Sequence, residues 1–345
     1  MGMGINLGNT LDAPHEGDWA KPAKEEYFDK YVQAGFQSVR VPCQWSQHIE
    51  DTPPYIDMNN TFLERVYQVV GWSLKRNLTT VINTHHDDWL DSSATAGEFA
   101  HRLDKLVAIW TAVGKKFAGI PDELLAFEVY NEPHLKMTVD ELNLMNKRVL
   151  PAIRQTNPTR TVFLGGLKFM GVPWILNNPD AIAMLPPTGP TDPHLALEVH
   201  SYDPFKMCGG IKTGPTQHSY PAGEIEAWAG NLRAWATKRN VSILLGEFGC
   251  TLQQTNRSGR LAWYHELGQA VRSHGFAATA WDDDGNFRLF RRAQGTWDMS
   301  VLNALGLSPS SEAVAEQAVR EGMSVRAGNE RAHDRAVEVE EWDAR

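Results

Sequence analysis

Short runs of β-branched and apolar residues alternate with longer amphipathic segments along most of this chain. The runs start about every 40 residues, which is a usual length for one βα repeat of a large barrel. Parallel strands need a long crossover between them, and a helix supplies it. The pattern predicts a single (β/α)8 TIM barrel of the α/β class over residues 1–321, with a charged tail or peripheral helix over 322–345. The eight predicted strands are 3–8, 37–42, 79–84, 124–130, 161–165, 195–200, 241–246 and 276–281.

The segments between the strands have the periodicity of helices that bury one face. In 62–76, for example, apolar residues recur every three or four positions. Gly35 and Gly275 come just before the second and eighth strands, where a left-handed helix cap favours glycine. The other predicted helices are 102–118, 140–154, 224–238, 259–273 and, as the eighth of the barrel, 310–321.

Charge and hydropathy argue against two classes of partner. The chain of 345 residues has a formal net charge of −9, and an acidic protein repels the phosphate backbone of nucleic acids. The sequence has no run of about 18 apolar residues, so it predicts no membrane-spanning helix. We therefore expect neither nucleic acid nor a membrane as a partner.

Polar and titratable residues collect where the predicted strands end. In a barrel of this kind the carboxyl ends of the strands meet at one face, and that face carries the catalytic groups. The sequence therefore predicts a functional site at this face. The polar strand ends are 6–12, 39–42, 83–89, 130–133, 200–202, 246–249 and 281–284.

Two glutamates follow apolar strands on opposite sides of this face. Glu132 ends the fourth strand and Glu247 ends the seventh, so both carboxyl groups are expected at the mouth of the barrel. A retaining glycosidase needs two carboxyls about 5–5.5 Å apart, one as nucleophile and one as acid/base. A lone glutamate at a strand end is usually a solvated charge. Here Asn131 directly precedes Glu132, and Arg, His and Tyr residues end other strands, which favours a catalytic pair.

Six motifs of the chain occur together and in a fixed order. Asn-Glu-Pro follows the fourth strand, His-x-Tyr the sixth and Gly-Glu-Phe-Gly the seventh, and together they resemble glycoside hydrolase family 5. The opening Gly-Ile-Asn-Leu-Gly-Asn-Thr-Leu-Asp-Ala-Pro and the segments 35–42 and 81–86 resemble the endoglucanase branch of that family. The resemblance covers about residues 3–310, so it extends over the predicted barrel.

The resemblance implies a role for each matching residue. Glu247 resembles the nucleophile, and Glu132 resembles the acid/base. Arg40 and Tyr202 resemble the pair that hydrogen-bonds the nucleophile and keeps it ionised, and Asn131 resembles the residue that binds the sugar 2-hydroxyl. The remaining matches are His86 and His200 as histidines that line the site, Trp281 as the platform beneath the sugar, and Asn9, Asp12 and His85 as more variable substrate contacts.

The function that the resemblance implies is a retaining endo-β-1,4-glucanase. Its partner would be a polysaccharide or oligosaccharide substrate, and it would need no cofactor. A β-mannanase or another β-glycanase would use the same machinery, and a non-catalytic carbohydrate-binding barrel is the alternative from a different class. The substrate class implies a secreted, extracellular protein, and we expect a monomer.

The His-His-Asp-Asp segment after the third strand contains donor atoms that metals bind. Adjacent residues on a strand point to opposite faces, so His85 and His86 are not expected to share a metal ion. No second cluster of His or Cys has the spacing of metal ligands. We therefore expect no metal at this face.

Three features of the loops leave alternatives open. Trp45 and Trp89 follow the second and third strands and are either core residues or contacts for a sugar. Cys208 and Cys250 follow neighbouring strands and can pair, although the count of three cysteines leaves at least one unpaired. The long segment 286–297 after the eighth strand can close one end of a cleft into a pocket.

Overall fold

The eight predicted strands close into a parallel barrel in the computed structural model, which describes residues 1–187, 192–209, 220–253 and 255–319. The first strand pairs with both the second and the eighth, and these pairings close the sheet. The (β/α)8 prediction is confirmed, with strand ends that differ from the predicted ends by a residue or two. The strands are β1 (Met3–Asn6), β2 (Ser38–Val41), β3 (Thr79–Asn83), β4 (Leu125–Glu128), β5 (Val162–Gly165), β6 (Leu195–Ser201), β7 (Ile243–Phe248) and β8 (Ala277–Ala280).

Helices connect the strands and cover the outside of the barrel. The five predicted helices between residues 62 and 273 are all present, with shifted ends. The predicted eighth helix, 310–321, is helical over 311–319, where the last described segment ends. The helices are α1 (Glu25–Gln33), α2 (Thr61–Leu74), α3 (Ala96–Phe117), α4 (Val139–Arg154), α5 (Val172–Asn177), α6 (Phe205–Cys208), α7 (Glu224–Arg239), α8 (Arg257–His274), α9 (Met299–Ala304) and α10 (311–319).

The ends of several helices follow from local sequence. Thr138 and Glu141 form a capping box at the start of α4, in which each side chain accepts the backbone N–H of the other residue. Gly35 and Gly275 have φ angles of 94° and 65°, so both are left-handed as predicted. Asp298 caps the short helix α9, which is not among the predicted helices.

The interior of the barrel changes from apolar to polar along the strands. Side chains two positions apart on a strand point to the same side. Glu128 therefore points to the same side of β4 as Ala126, and Glu198 to the same side of β6 as Ala196. Both glutamates are fully buried. Charged groups thus lie directly beneath the mouth of the barrel. The apolar layer below them consists of Val81, Ala126, Phe163, Ala196 and Leu244.

The long segment after β8 folds back onto the helix layer. Residues Phe290–Arg291 (β9) and Thr296–Trp297 (β10) form an antiparallel hairpin. The ring of Phe290 lies 5.8 Å from that of Tyr27 and 6.2 Å from that of Tyr31, both on α1. The hairpin is therefore anchored on α1 rather than closing one end of the cleft.

A disulfide joins the loops that follow β6 and β7. It links Cys208 to Cys250, which confirms this pairing. Cys43 is buried and lies outside any disulfide. The bond therefore ties together two loops that reach the same face of the barrel.

Two predictions about the rest of the chain have different outcomes. Within the described residues, every helix is too short or too polar to cross a bilayer. The predicted tail, 322–345, lies outside the described residues. The boundary of the barrel domain at residue 321 therefore stays a prediction.

Candidate active site

Glu132 lies in the loop directly after β4 and has a left-handed backbone, with φ of 48°. Its side chain is 24% exposed, so the carboxyl group reaches the mouth of the barrel. The Oε1 atom lies 2.7 Å from Nδ1 of His200. Non-glycine residues seldom adopt positive φ, and when they do the surrounding structure holds them there.

Glu247 is the fifth residue of β7 and is almost fully buried. A register shift between β6 and β7 places it opposite His200. The Oε1 atom accepts a hydrogen bond from Nη1 of Arg40 at 2.8 Å, and Oε2 accepts one from the hydroxyl of Tyr202 at 2.8 Å. The two residues expected to hold this carboxylate therefore both contact it.

The two glutamates approach each other closely. One carboxylate oxygen of Glu132, one of Glu247 and a ring nitrogen of His200 all lie within 4.8 Å of one another. Glu247 is buried among donors, whereas Glu132 is partly open to solvent. Two carboxyls in such different surroundings can divide the roles of nucleophile and proton donor.

The surroundings of Glu247 keep it ionised. Burial by itself raises the pKa of this carboxyl, but the positive charges of His200 and Arg40 and the hydrogen bond from Tyr202 outweigh it, so the pKa is lowered. Burial keeps the pKa of the Tyr202 hydroxyl well above its usual value, so that this group remains a donor. An ionised carboxylate with fixed donors is suited to attack an electrophilic carbon.

Arg40 is buried at the centre of a network of acceptors. Its Nε and Nη2 atoms donate to both oxygens of Glu128, at 2.7 and 2.8 Å. Nη2 also donates to Oδ1 of Asn131 at 2.7 Å, and Nη1 donates to Oδ1 of Asn6 at 2.9 Å. These contacts fix the guanidinium beneath Glu247. They also direct the amide N–H donors of Asn131 away from Arg40.

His200 connects the two glutamates and is itself buried. Its Nδ1 atom lies 2.7 Å from Glu132 and 3.7 Å from Oε2 of Glu247. Burial lowers the pKa of the ring, but Glu247, Glu132 and Glu198 reverse this effect and raise it to about 10. His200 is therefore a cation at neutral pH.

His85 and Trp281 lie with their rings parallel and 5.8 Å apart at the floor of the cleft. Asn83 accepts the backbone N–H of Cys43 through Oδ1, so its Nδ2 atom is the one that lies 3.1 Å from Nδ1 of His85. Burial and neighbouring cations lower the pKa of His85 well below its usual value. The neutral ring therefore carries its hydrogen on Nε2.

The side chains of His85 and His86 do not point to opposite faces, as the strand alternation predicted. His86 has φ of 51°, so the alternation of a strand stops, and its ring lies 4.3 Å from that of His85. With Asp12, the two histidines offer donor atoms within 4.8 Å. The hydrogen on Nε2 of His85 argues against metal ligation by this group. The absence of a metal therefore stays an expectation, although its original reason was wrong.

Asp12 supports the loop after β1. It is fully buried, and its carboxylate accepts the backbone N–H groups of Asn9 and Thr10 at 3.0 and 2.7 Å. A side chain without exposed surface is poorly placed to contact a sugar, so the structure gives no support to the expected contact, which stays a prediction. Asn9 is partly exposed in the same loop and stays a candidate.

The two tryptophans left open by the sequence do not line the cleft. Trp45 is 1% exposed, packs against Phe62 and donates its indole N–H to the carbonyl of Asn83. Trp89 is partly buried, and Lys105 lies over its ring. Trp45 is therefore a core residue, and Trp89 belongs to the surface beside α3.

The cleft around the glutamates has a volume of about 530 Å³ and several aromatic walls that sequence reasoning missed. Phe169 is 51% exposed in the loop after β5, where Lys168, Phe169 and Met170 all have positive φ. The sequence contains no clear signal for these loop residues. Trp281 and Tyr202, which the sequence predicted, also line the cleft, and the aromatic residues that were missed are Phe169, Trp174, Phe205 and Phe287.

Sequence reasoning also missed the buried carboxylates Glu128 and Glu198. Their signal was present, because each lies inside an apolar run with the same pattern, Leu-Ala-x-Glu-Val. A charge in the middle of a buried strand needs a partner of opposite charge. Arg40 is such a partner for both.

Comparison with known proteins gives a consistent result. The model of the family described as Cellulase (glycosyl hydrolase family 5) matches residues 4–286. Endoglucanase H of Acetivibrio thermocellus is 36% identical over 312 residues, which are 88% of this chain and 33% of that protein. Cellulase/esterase CelE of the same organism is 28% identical over 81% of this chain and 35% of its own length. The chain therefore spans about a third of the length of these two relatives.

Solved structures with the same barrel are also similar. One described as an endoglucanase is 32% identical with a TM-score of 0.78, and the match covers 88% of this chain and 96% of that one. Thermotoga maritima Cel5A is 27% identical in a structure with cellobiose and 26% identical in one with mannotriose. Both have a TM-score of 0.79 and cover 88% of this chain and 97% of theirs.

Proposed function

Because this chain belongs to glycosyl hydrolase family 5, the cellulase family, we propose that it hydrolyses internal β-1,4-glucosidic bonds of a glucan with retention of configuration. The observation that carries this proposal is the approach of Glu132 and Glu247, since one carboxylate oxygen of each lies within 4.8 Å of the other. Retaining enzymes have carboxyls about 5–5.5 Å apart, whereas inverting enzymes need about 6.5–9.5 Å to admit a water molecule.

The proposed reaction has two displacements. Glu247 attacks the anomeric carbon while Glu132 gives its proton to the glycosidic oxygen, so the C–O bond breaks and the aglycone leaves. Glu132, now a carboxylate, takes a proton from water, and the resulting hydroxide oxygen displaces Glu247 from the sugar. Both carboxyls then return to their starting states. Two inversions at the same carbon give net retention.

The neighbours of the two glutamates support this division of roles. Arg40 and Tyr202 donate to Glu247 and favour its ionised form. Asn131 accepts from Arg40 through Oδ1, so its N–H groups point away from Arg40, and we propose that they donate to the sugar 2-hydroxyl. A contact of this kind strengthens in the transition state. We propose His86, Trp281 and Asn9 as further substrate contacts, and His85 as a donor through Nε2.

The shape of the site supports cleavage within a chain. The hairpin of residues 290–297 packs on α1, and of the segment after β8 it is Phe287, before the hairpin, that lines the cleft. The aromatic walls, from Trp281 to Phe169, offer several faces on which sugar rings can stack. Two of the relatives named above, the protein of Acetivibrio thermocellus that is 36% identical and the solved structure that is 32% identical, are described as endoglucanases. Viscosity should therefore fall faster than reducing ends appear on a soluble β-glucan.

Azide rescue tests the two roles directly. Glu247→Ala should abolish turnover, and azide should restore it with an α-glycosyl azide as product. Glu132→Ala should keep activity on activated aryl glycosides, and azide should then give the β-glycosyl product. Glu128→Ala is the matched control, since it removes a buried carboxylate that does not face the sugar, and azide should not rescue it. Swapped product configurations would reverse the assignment.

A β-mannan is the second candidate substrate, because the similar Cel5A structure has been solved with mannotriose. Glucose and mannose differ only in the orientation of the 2-hydroxyl, and the presence of the proposed donor to that group, Asn131, does not distinguish between them. Reducing-sugar release from barley glucan, carboxymethyl cellulose and mannan will separate them. Retention on insoluble glucan without any sugar release would favour the non-catalytic alternative instead.

We also propose that the protein works as a monomer outside the cell. A polymeric substrate does not enter cells, and the Cys208–Cys250 disulfide is typical of an oxidising compartment. Size-exclusion chromatography with light scattering will measure the oligomeric state, and fractionation of the source culture will locate the activity.

A further inference from the structure

Glu198 is a buried carboxyl for which the proposed mechanism has no use. It lies on β6, and its side chain is fully buried. Its Oε1 atom lies 3.5 Å from Nε2 of His200 and 3.3 Å from Nε of Arg40. Arg40 already donates through Nε to Glu128. His200 is therefore the neighbour whose donor has no other acceptor.

The hydrogen bonds of Glu198 and His200 also indicate that these two residues are partners. Both oxygens of Glu198 and the Nε2 atom of His200 are buried without a hydrogen-bond partner among the described residues. Most buried polar atoms have such a partner, and one without a partner needs an explanation. Glu198 forms an ion pair with Arg40, but its oxygens and Nε2 of His200 face each other, and a small shift would bring them into a hydrogen bond.

The neighbouring strand keeps a space for this carboxyl. Gly246 on β7 lies beside Glu198, and a Cβ atom at that position would lie 1.6 Å from Oε1 of Glu198. Only glycine allows the carboxyl to occupy this place. The position of Glu198 is therefore built into two strands.

We propose that Glu198 is a positioning residue that accepts the Nε2–H of His200. This contact leaves Nδ1 of His200 as the ring atom that hydrogen-bonds to Glu132. The proposal rests on the role of Glu132 as acid/base. With a hydrogen held on Nε2, His200 faces Glu132 through Nδ1 in every protonation state. When Glu132 has given up its proton, Nδ1–H of the imidazolium donates to the carboxylate and stabilises it. When Glu132 is protonated, its contact with the ring remains in place.

In this arrangement a buried carboxyl, Glu198, contacts the ring nitrogen of His200 that does not face Glu132, and so orients the ring. In hydrolases with a Ser-His-Asp triad, a buried carboxylate likewise fixes the tautomer of the ring. Here the pattern Leu-Ala-x-Glu-Val supplies two buried carboxyls: Glu128 hydrogen-bonds to Arg40, and Glu198 lies beside both His200 and Arg40. Glu128 thus offers a control of the same residue type in the same setting.

Several charged groups surround His200, and each contributes to its titration. Burial lowers its pKa, whereas Glu247, Glu132 and Glu198 raise it. Burial and the nearby Glu128 raise the pKa of Glu198 to about 8, against the effect of Arg40 and His200. A neutral carboxyl still accepts Nε2–H through its carbonyl oxygen. Three carboxyl groups face the ring of His200: Glu198 on β6, Glu247 on β7 and Glu132 after β4. Arg40 on β2 lies beside Glu198, and His85 after β3 is near enough for its charge to interact with that of His200.

The test compares an acceptor with an apolar side chain at position 198. Glu198→Gln keeps a carbonyl oxygen for Nε2–H, whereas Glu198→Leu removes it, and Glu198→Met is a second apolar variant of flexible shape. The ¹⁵N resonances of the His200 ring, assigned with His200→Gln, report the hydrogen on each nitrogen as a function of pH. Melting temperatures identify variants that are folded.

We expect Nε2 of His200 to carry hydrogen throughout the titration in the native protein and in Glu198→Gln. In Glu198→Leu and Glu198→Met the titration midpoint of His200 should fall by about one pH unit or more, the equivalent of one lost hydrogen bond to a charged group. Glu128→Gln should leave the midpoint in place. An Nε2 atom without hydrogen in the native protein would overturn the proposal, and so would equal midpoints in the Gln and Leu variants.

Kinetics provide an independent readout. Glu198→Leu should lower kcat by about 10- to 100-fold on a glucan, while KM changes little, and Glu198→Gln should stay close to the native value. The loss should be smaller on an aryl cellobioside with an activated leaving group, because that bond needs little protonation. Equal losses on both substrates would indicate a role that does not act through Glu132. If no glucan or mannan is cleaved by the native protein, the proposed function fails, and the ring titration still tests Glu198.

Discussion

The backbone N–H of Glu132 donates a hydrogen bond to the thioether sulfur of Met170 across 3.2 Å. The carbonyl of Met170 accepts the backbone N–H of His200 at 2.9 Å, so one residue holds both the loop after β4 and the strand β6. Glu132 and Met170 each have positive φ. A strained backbone of this kind persists where surrounding contacts hold it and is common at functional sites.

Met170→Leu should therefore lower activity without unfolding the protein. Leucine fills a similar volume but does not accept the N–H of Glu132, so the acid/base loses one of the contacts that hold its backbone. We expect kcat/KM to fall by about three- to tenfold, the effect of one neutral hydrogen bond. The measurement is steady-state kinetics on a soluble β-glucan. Met145→Leu in the core of α4 is the control, and full activity of Met170→Leu would contradict the role.

The lowered pKa of Glu247 predicts the acidic side of the pH profile. An ionised nucleophile is lost only when the pH falls through this pKa, so activity should persist below the range of an ordinary glutamate. Tyr202→Phe removes one donor to the carboxylate, which raises the pKa of Glu247. The acidic limb of kcat/KM should move to higher pH by up to about one unit. Tyr67→Phe, at an exposed position of α2, should leave the acidic limb in place, and an unshifted limb in Tyr202→Phe would refute the argument.

Two glycines, one in a crowded and one in an open position, test the packing beneath the site. Gly246→Ala places a Cβ atom 1.6 Å from Glu198, so β6 and β7 must separate, and we expect a loss of stability of about 1–3 kcal/mol or more. Gly71 on α2 has no heavy atom within 4 Å of such a Cβ atom. Gly71→Ala should raise the free energy of unfolding by about 0.5–1 kcal/mol. Urea unfolding measures both, and a stable Gly246→Ala protein would show that the strands yield easily.

Phe169 offers a test of the cleft walls. Its ring is 51% exposed and stacks on His134 with centroids 4.2 Å apart. An aromatic contact with a sugar contributes about 1 kcal/mol, so Phe169→Ala should raise KM for a long glucan about fivefold. Activity on a short aryl glycoside should change less. Leu135→Ala is the control, because Leu135 is similarly exposed and does not line the cleft. An unchanged KM would place the substrate elsewhere.

Much of the fold and the centre of the site follow from local sequence. The βα pattern predicts the barrel because strands and helices have periods that are visible in a single chain. Parallel strands in a barrel place their carboxyl ends at one face. Arg40, Glu132, His200, Tyr202 and Glu247 therefore had to come near one another, and the structure brings all five into contact.

Other features depend on distances between segments that no local pattern encodes. Trp45 and Asp12 follow strands as the site residues do, yet neighbouring loops cover them completely. His86 turns toward His85 because its backbone leaves the extended conformation. The sequence shows Glu198 inside an apolar strand, but it does not show which residues contact its carboxyl group. Burial, backbone strain and the pairing of charges are properties of the assembled barrel, since each is set by side chains that lie far apart in the sequence.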